Sequence, residues 1–123
     1  MKYIYILVLS ALSLSSMAAD RGLDLPSCNL QEQRAWVGKT GGQITDIRQA
    51  HISERGNVLI ADISTSRKAR KITEAQAKQM FNRIEDIRLQ SDRFVKQQGF
   101  LSAAENASFD RDLDAIAQKL CQP

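Results

Sequence analysis

Ile72-Thr73-Glu74-Ala75-Gln76 and Leu101-Ser102-Ala103-Ala104-Glu105 are two copies of one device, set 29 positions apart. In each, a hydroxyl residue stands three places before a Gln or Glu, which is the spacing of a capping box. The hydroxyl accepts from the backbone N–H three residues on, and the Gln or Glu side chain reaches back to the N-cap N–H. Ile72 and Leu101 immediately precede the caps, where a hydrophobic staple belongs. The same offset carries Met80 onto Phe109, Ile84 onto Leu113 and Ile87 onto Ile116.

The repeat therefore predicts two capped helices. The first runs from Glu74 to about Gln98 and stops at Gly99. Ala77, Met80, Ile84, Ile87, Ser91 and Phe94 form its apolar stripe, with Phe81 and Val95 on the flank. The second runs from Ala103 to about Leu120, with Phe109, Leu113, Ile116 and Leu120 on one face. Steps of three and four keep each stripe on a single helix face. The link through Gly99, Phe100 and Leu101 is short, so the two helices should pack as an αα-hairpin. Glu74 with Lys78, and Asp92 with Lys96, are i,i+4 pairs in the favourable order.

Upstream of the hairpin the pattern is weaker. Residues 20–27 read as an extended leader, and from Cys28 a short helix could run through Leu30, Trp36 and Val37. Gly38 to Gly42 then reads as a flexible turn. Gln43 to Arg55 places Ile44, Ile47, Ala50 and His51 on one face, with Gly56 where a helix C′ glycine belongs. The apolar run Val58–Ile63 is short enough to be a buried strand or part of a helix. Asn57 as an N-cap, and the polar run before Ile72, favour a helix over 57–64; no second strand-like run offers a partner. The expected fold is all-α, a small bundle of about four helices with a C-terminal hairpin.

Residues 1–19 read as a secretory signal peptide. Lys2 supplies the positive end, Ile4–Leu14 an apolar core too short to span a bilayer, and Ser16-Met17-Ala18-Ala19 the small residues of a cleavage site after Ala18 or Ala19. Residues 20–123 are then a single domain, with no transmembrane segment after cleavage, in the periplasm or outside the cell. Loss of Lys2 lowers the net charge from +3 to +2, too small a value to call for a nucleic-acid partner. Cys28 and Cys121 are the only cysteines, and in an oxidising compartment they should form one disulfide. Closing so long a loop is worth about 4–5 kcal/mol in chain entropy.

Chemistry-bearing patterns are few. Gly38-Lys39-Thr40 lacks the upstream glycine, set off by four intervening residues, that a phosphate-binding loop requires. Asp110, Asp112 and Asp114 have the spacing of the first calcium ligands of an EF-hand, but the next positions carry Ala115 and Cys121 where Gly and Glu are needed. These aspartates read as a solvated helix face, like nearly all the acidic residues. His51 is the only histidine, so zinc sites and Ser-His or Cys-His catalysis have no second partner; it reads as a satisfied, partly buried side chain. The chain accordingly reads as non-enzymatic, with no cofactor and no metal. Arg67-Lys68-Ala69-Arg70-Lys71 is the one dense basic run. Arg67, Lys68, Arg70 and Lys71 suit an anionic partner, either lipid headgroups, lipopolysaccharide or an acidic protein; equally, cations at a helix C-terminus complement its dipole. Trp36, beside the glycine-rich turn, is either core or a binding anchor.

Two resemblances start from the repeat. Gly99-Phe100-Leu101-Ser102-Ala103-Ala104-Glu105, followed by Arg111, Leu113 and Ile116, resembles the GxLSxxE helix units of small uncharacterised secreted proteobacterial proteins. That resemblance covers residues 57–121 and implies an all-α fold without a known activity. Ile72-Thr73-Glu74-Ala75-Gln76 is similar to the LTxxQ motif of the periplasmic Spy/CpxP-like chaperones and stress adaptors. Ile72 departs from the motif's Leu, and the second copy has Ser102 and Glu105 in place of Thr and Gln. The resulting expectation is a secreted or periplasmic helical binding protein for a protein or envelope component. The alternatives are an LTxxQ-like chaperone, or an exported effector or inhibitor of a target protein.

Overall fold

The computed structural model describes residues 24–122, so the expected signal peptide at 1–19 lies outside the described residues. A 3-10 turn at Pro26–Cys28 leads into helix α1 (Leu30–Ala35), followed by α2 (Ile47–Lys68), α3 (Glu74–Gln98) and α4 (Ala103–Cys121). Among the described residues there is no strand, and no helix is long and apolar enough to cross a membrane. The chain is a small all-α bundle, with the hairpin α3–α4 packed on α2.

The hairpin forms as the repeat predicts. Thr73 and Ser102 are both N-caps in complete capping boxes with Gln76 and Glu105. Gly99 ends α3 in the left-handed conformation at φ 88°, which glycine adopts without a Cβ penalty. Ile84, Ile87, Leu101, Leu113 and Leu120 are fully buried between the helices, with Ile52, Leu59 and Ile63 of α2 closing the core. Phe94 packs edge-on against Phe109 at a centroid distance of 6.0 Å but stays partly exposed. Of the two expected i,i+4 ion pairs, Asp92–Lys96 forms at 2.7 Å, whereas Glu74 turns to Arg67 instead.

The segment upstream differs from the sequence reading. Residues 47–68 form one uninterrupted helix, not two short ones. Asp46 caps its start by accepting from the Gln49 N–H, while Gly41 and Ile44 pair across a tight turn before it. Gly56 is not a terminator: it lies inside α2, where side chains of α3 pack against it. A Cβ there would stand 3.0 Å from Arg88 Nε and 3.2 Å from Ile84 Cγ2. Asn57 is likewise not an N-cap, because its side chain accepts a hydrogen bond from Arg88. The first helix is shorter than expected, since Trp36 already has extended dihedrals and Val37 lies beyond it. Pro26 and Ser27 belong to the 3-10 turn instead of an extended leader.

Cys28 and Cys121 are joined, with their Cα atoms 5.8 Å apart. The bond fastens the N-terminal turn to the end of α4. A second tie is polar: the Ser27 N–H donates to Asp62 of α2 at 2.9 Å.

Candidate functional site

Two groups of charged side chains stand out, one buried and one open. The buried group fills the space between α2 and α4. Arg55 is 1% exposed; its guanidinium donates to Asp110 Oδ1 at 2.8 Å and to Asp114 Oδ1 at 2.9 Å. His51, one turn earlier, contacts Asp110 Oδ1 through Nε2 at 2.8 Å and the Trp36 carbonyl through Nδ1 at 2.7 Å. Arg34 of α1 completes the set by binding Asp114 from the solvent side. Both ring nitrogens of His51 thus face acceptors, which only the doubly protonated imidazolium satisfies. The hydrogen bond to Asp110 raises the His51 pKa above its usual value despite burial. Burial alone would raise the Asp110 carboxyl, but hydrogen bonds from His51 and Arg55 override it and hold the carboxyl below its usual range.

The solvated-face reading of Asp110 and Asp114 is therefore corrected, since both are buried and paired, as Asp62 is buried and bonded to Ser27. A signal for this cluster was available. His51 and Arg55 are four apart on one helix, and Asp110 and Asp114 are four apart on another. Equal i,i+4 spacing of complementary charges lets them face one another across adjacent helices, and His51 with Asp110 and Arg55 with Asp114 pair in the order of helices that run in the same direction. The cluster ties α2 to α4, and both His51 ring nitrogens are engaged in it. Among the described residues no group of three or more His, Cys, Asp or Glu has metal-binding geometry.

The open group lies where α2 ends and α3 begins. Arg67, Lys68, Arg70 and Lys71 line one surface depression of about 560 Å³, together with Ile72, Thr73, Glu74 and Gln76. The chain turn that gathers them is a Schellman motif. The Arg70 N–H donates to the Arg67 carbonyl at 3.0 Å and the Lys71 N–H to the Ser66 carbonyl at 2.9 Å. Its C′ position needs the left-handed conformation, and the residue there is not glycine but Arg70, at φ 59°. Holding a side-chain-bearing residue in that conformation costs roughly 1–2 kcal/mol. Among the described residues Lys68, Arg70 and Lys71 enter no ion pair, and Arg67 meets Glu74 only at 3.8 Å. The C-terminus of α2 and the N-terminus of α3 meet here with opposite partial charges, so the positive field comes from the side chains.

A second depression of about 570 Å³ adjoins the first and shares Ile72 and Gln76 with it. It follows the seam between α3 and α4, with Met80 and Ile116 on its floor and Arg83, Lys119 and Gln122 at its edges. The sequence reading did not reach this groove, because its two walls are 40 residues apart in the chain.

Trp36 does not join the cations. It is half-buried near the start of α2 and, with Val37 and Ile47, lines a small separate hollow of about 200 Å³. His51, which holds its carbonyl, lies 16 residues before Arg67 on α2, or about 24 Å along the axis. Of the five residues singled out for partner binding, the structure brings four together and sets Trp36 apart. No family model, curated protein or solved structure matches the chain.

Proposed function

We propose that the protein is a non-enzymatic, exported binding protein that engages an anionic partner through the cationic end of its bundle. The observation that carries this reading is Arg70. Glycine would fill its position without strain, yet an arginine stands there amid three further cations that lack strong internal partners. A strained residue at an open, charged surface is a pointer to function. The disulfide and the buried ion network supply a rigid scaffold, which limits the ordering cost of binding. The paired cysteines and the signal-like leader sequence together support export to the periplasm or beyond.

The test uses immobilised polyglutamate and the variant Lys68→Glu/Arg70→Glu/Lys71→Glu, which leaves the buried core untouched. Binding should be present in the parent protein, weaken as salt is raised, and fall at least tenfold in the variant, a loss of about 1.4 kcal/mol. Equal binding by both proteins, with far-UV circular dichroism unchanged, would remove the proposal.

A second reading, a chaperone for unfolded clients, has one observation in its favour. Val37, Ile47 and Phe100 are exposed at the opposite end, where Arg48 donates to the Leu101 carbonyl and brings them near one another. Thr73 and Gln76, which carry the LTxxQ resemblance, are engaged with each other in a cap. Suppression of client aggregation without ATP, lost on Val37→Ser/Phe100→Ser, is the result that reading requires.

A further inference from the structure

We infer that the partner presented to the cationic end is an acidic segment of another protein that also carries apolar side chains, laid along the groove between α3 and α4. This rests on the reading above that the cationic end is the binding surface; it adds which anion binds and how. The groove and the cationic depression form one path, because Ile72 and Gln76 line both. Its lining alternates three chemistries. Ile72, Met80 and Ile116 offer an apolar floor, Lys119 offers a cation, and Gln79 and Gln122 offer amides. Among the described residues no carboxylate lines this second depression, so an acidic segment meets no like charge from them there. Arg83 is already engaged with Asp86 at 3.0 Å and Asp112 at 3.2 Å, which leaves Lys119 as the groove's cation free of ion pairs among the described residues.

The amides separate a peptide from a lipid. Each glutamine side chain carries both a donor and an acceptor, as a peptide group does. A peptide backbone in the groove can pair with both, while side chains alternate between the apolar floor and the cations. An acyl chain would cover the same amides and leave them unpaired, at a cost of about 1–3 kcal/mol for each buried group. A bare anion such as phosphate would use Lys119 and leave the floor of Ile72, Met80 and Ile116 wet. The path has the right length too. Gln76 to Arg83 covers about 10 Å of helix axis, which about three extended residues match, and the cationic depression prolongs it.

The experiment compares three probes by isothermal titration calorimetry and sedimentation. Two are synthetic peptides of about eight residues, long enough to cover both depressions, alternating glutamate with leucine or glutamate with serine. The third is vesicles of phosphatidylglycerol in phosphatidylcholine. The glutamate–leucine peptide should bind at least tenfold more tightly than the glutamate–serine peptide. Gln79→Glu/Lys119→Glu, at exposed positions that leave the core intact, should abolish that preference. Equal affinity for the two peptides would overturn the groove assignment while leaving the cationic reading in place. Binding of vesicles without the leucine peptide would do the same and identify a lipid surface. Failure of all three probes to bind would overturn both.

Discussion

Replacing Arg55 with methionine should unfold much of what this domain's stability rests on. The guanidinium is buried and bridges two carboxylates on the facing helix, Asp110 at 2.8 Å and Asp114 at 2.9 Å. Methionine keeps most of the volume but removes the charge and its hydrogen bonds. Asp110 retains His51, and Asp114 retains Arg34, whose side chain is 55% exposed and therefore screened. Breaking a buried pair from one side costs about 3–5 kcal/mol, because the remaining charge stays desolvated. Small domains have roughly 5–15 kcal/mol in total, so the loss is a large share. Urea unfolding followed by far-UV circular dichroism, with the disulfide intact, measures it by linear extrapolation. Arg93→Met, at an exposed position, is the control and should stay within about 0.5 kcal/mol of the parent. Removing all three charges together, as Arg55→Met/Asp110→Leu/Asp114→Leu, should recover most of the loss: His51, deprived of Asp110, can give up its proton, and Arg34 reaches solvent, so no unpaired charge need stay buried. A cost below about 1 kcal/mol for Arg55→Met alone would refute the reasoning, as would a triple variant less stable than the single one.

Two further outcomes follow from the same packing. The His51 pKa is raised, so its contribution to stability is complete below its ordinary value of 6.5 and is lost as pH rises through the folded value. The Asp110 carboxyl is lowered, so its contribution is present above its ordinary value of 3.8 and is lost as pH falls through the folded value. The melting temperature should therefore be highest between those two limits and decline on the alkaline side, with His51→Gln flattening that decline; an unchanged alkaline limb in the variant would contradict the imidazolium assignment. Gly38→Ala should destabilise the domain by about 1–3 kcal/mol in urea titrations. Its Cβ would overlap the His51 amide nitrogen and lie 2.6 Å from the Ala50 carbonyl carbon, so a neutral result would show that the turn does not press on α2 as described.

The parts of this fold that are legible in the sequence are those specified within one turn of helix. Thr73 with Gln76 and Ser102 with Glu105 are local pairs, and the buried positions below them are apolar except for Ser91, Asp110 and Asp114. The disulfide was legible because two cysteines allow one intramolecular pairing and the expected compartment is oxidising. The central helix was legible as two helical segments but not as one, for a physical reason. Its buried face carries His51, Arg55, Asp62 and Ser66, whose partners, where they are hydrogen-bonded, lie on distant residues such as Ser27, Asp110 and Asp114. Apolar periodicity does not register a face built of paired charges. Gly56 misled for a related reason, since glycine serves both a left-handed helix end and a close helix crossing, and only the position of Arg88 distinguishes them. At Arg70 the error would run the other way: the helix truly ends there, in a conformation glycine favours, without a glycine to announce it. The four cations were legible as a run, but their convergence on one depression depends on that turn, and the adjoining groove depends on the antiparallel return of α4.

The claim that this open end is the binding surface is tested most directly by mapping backbone amide NMR shifts of the labelled protein as the glutamate–leucine peptide is added. Shifts should concentrate at residues 66–83 and 116–122, and shrink as salt is raised. Shifts confined to the end near Trp36, Ile47 and Phe100, or shifts indifferent to salt, would contradict it.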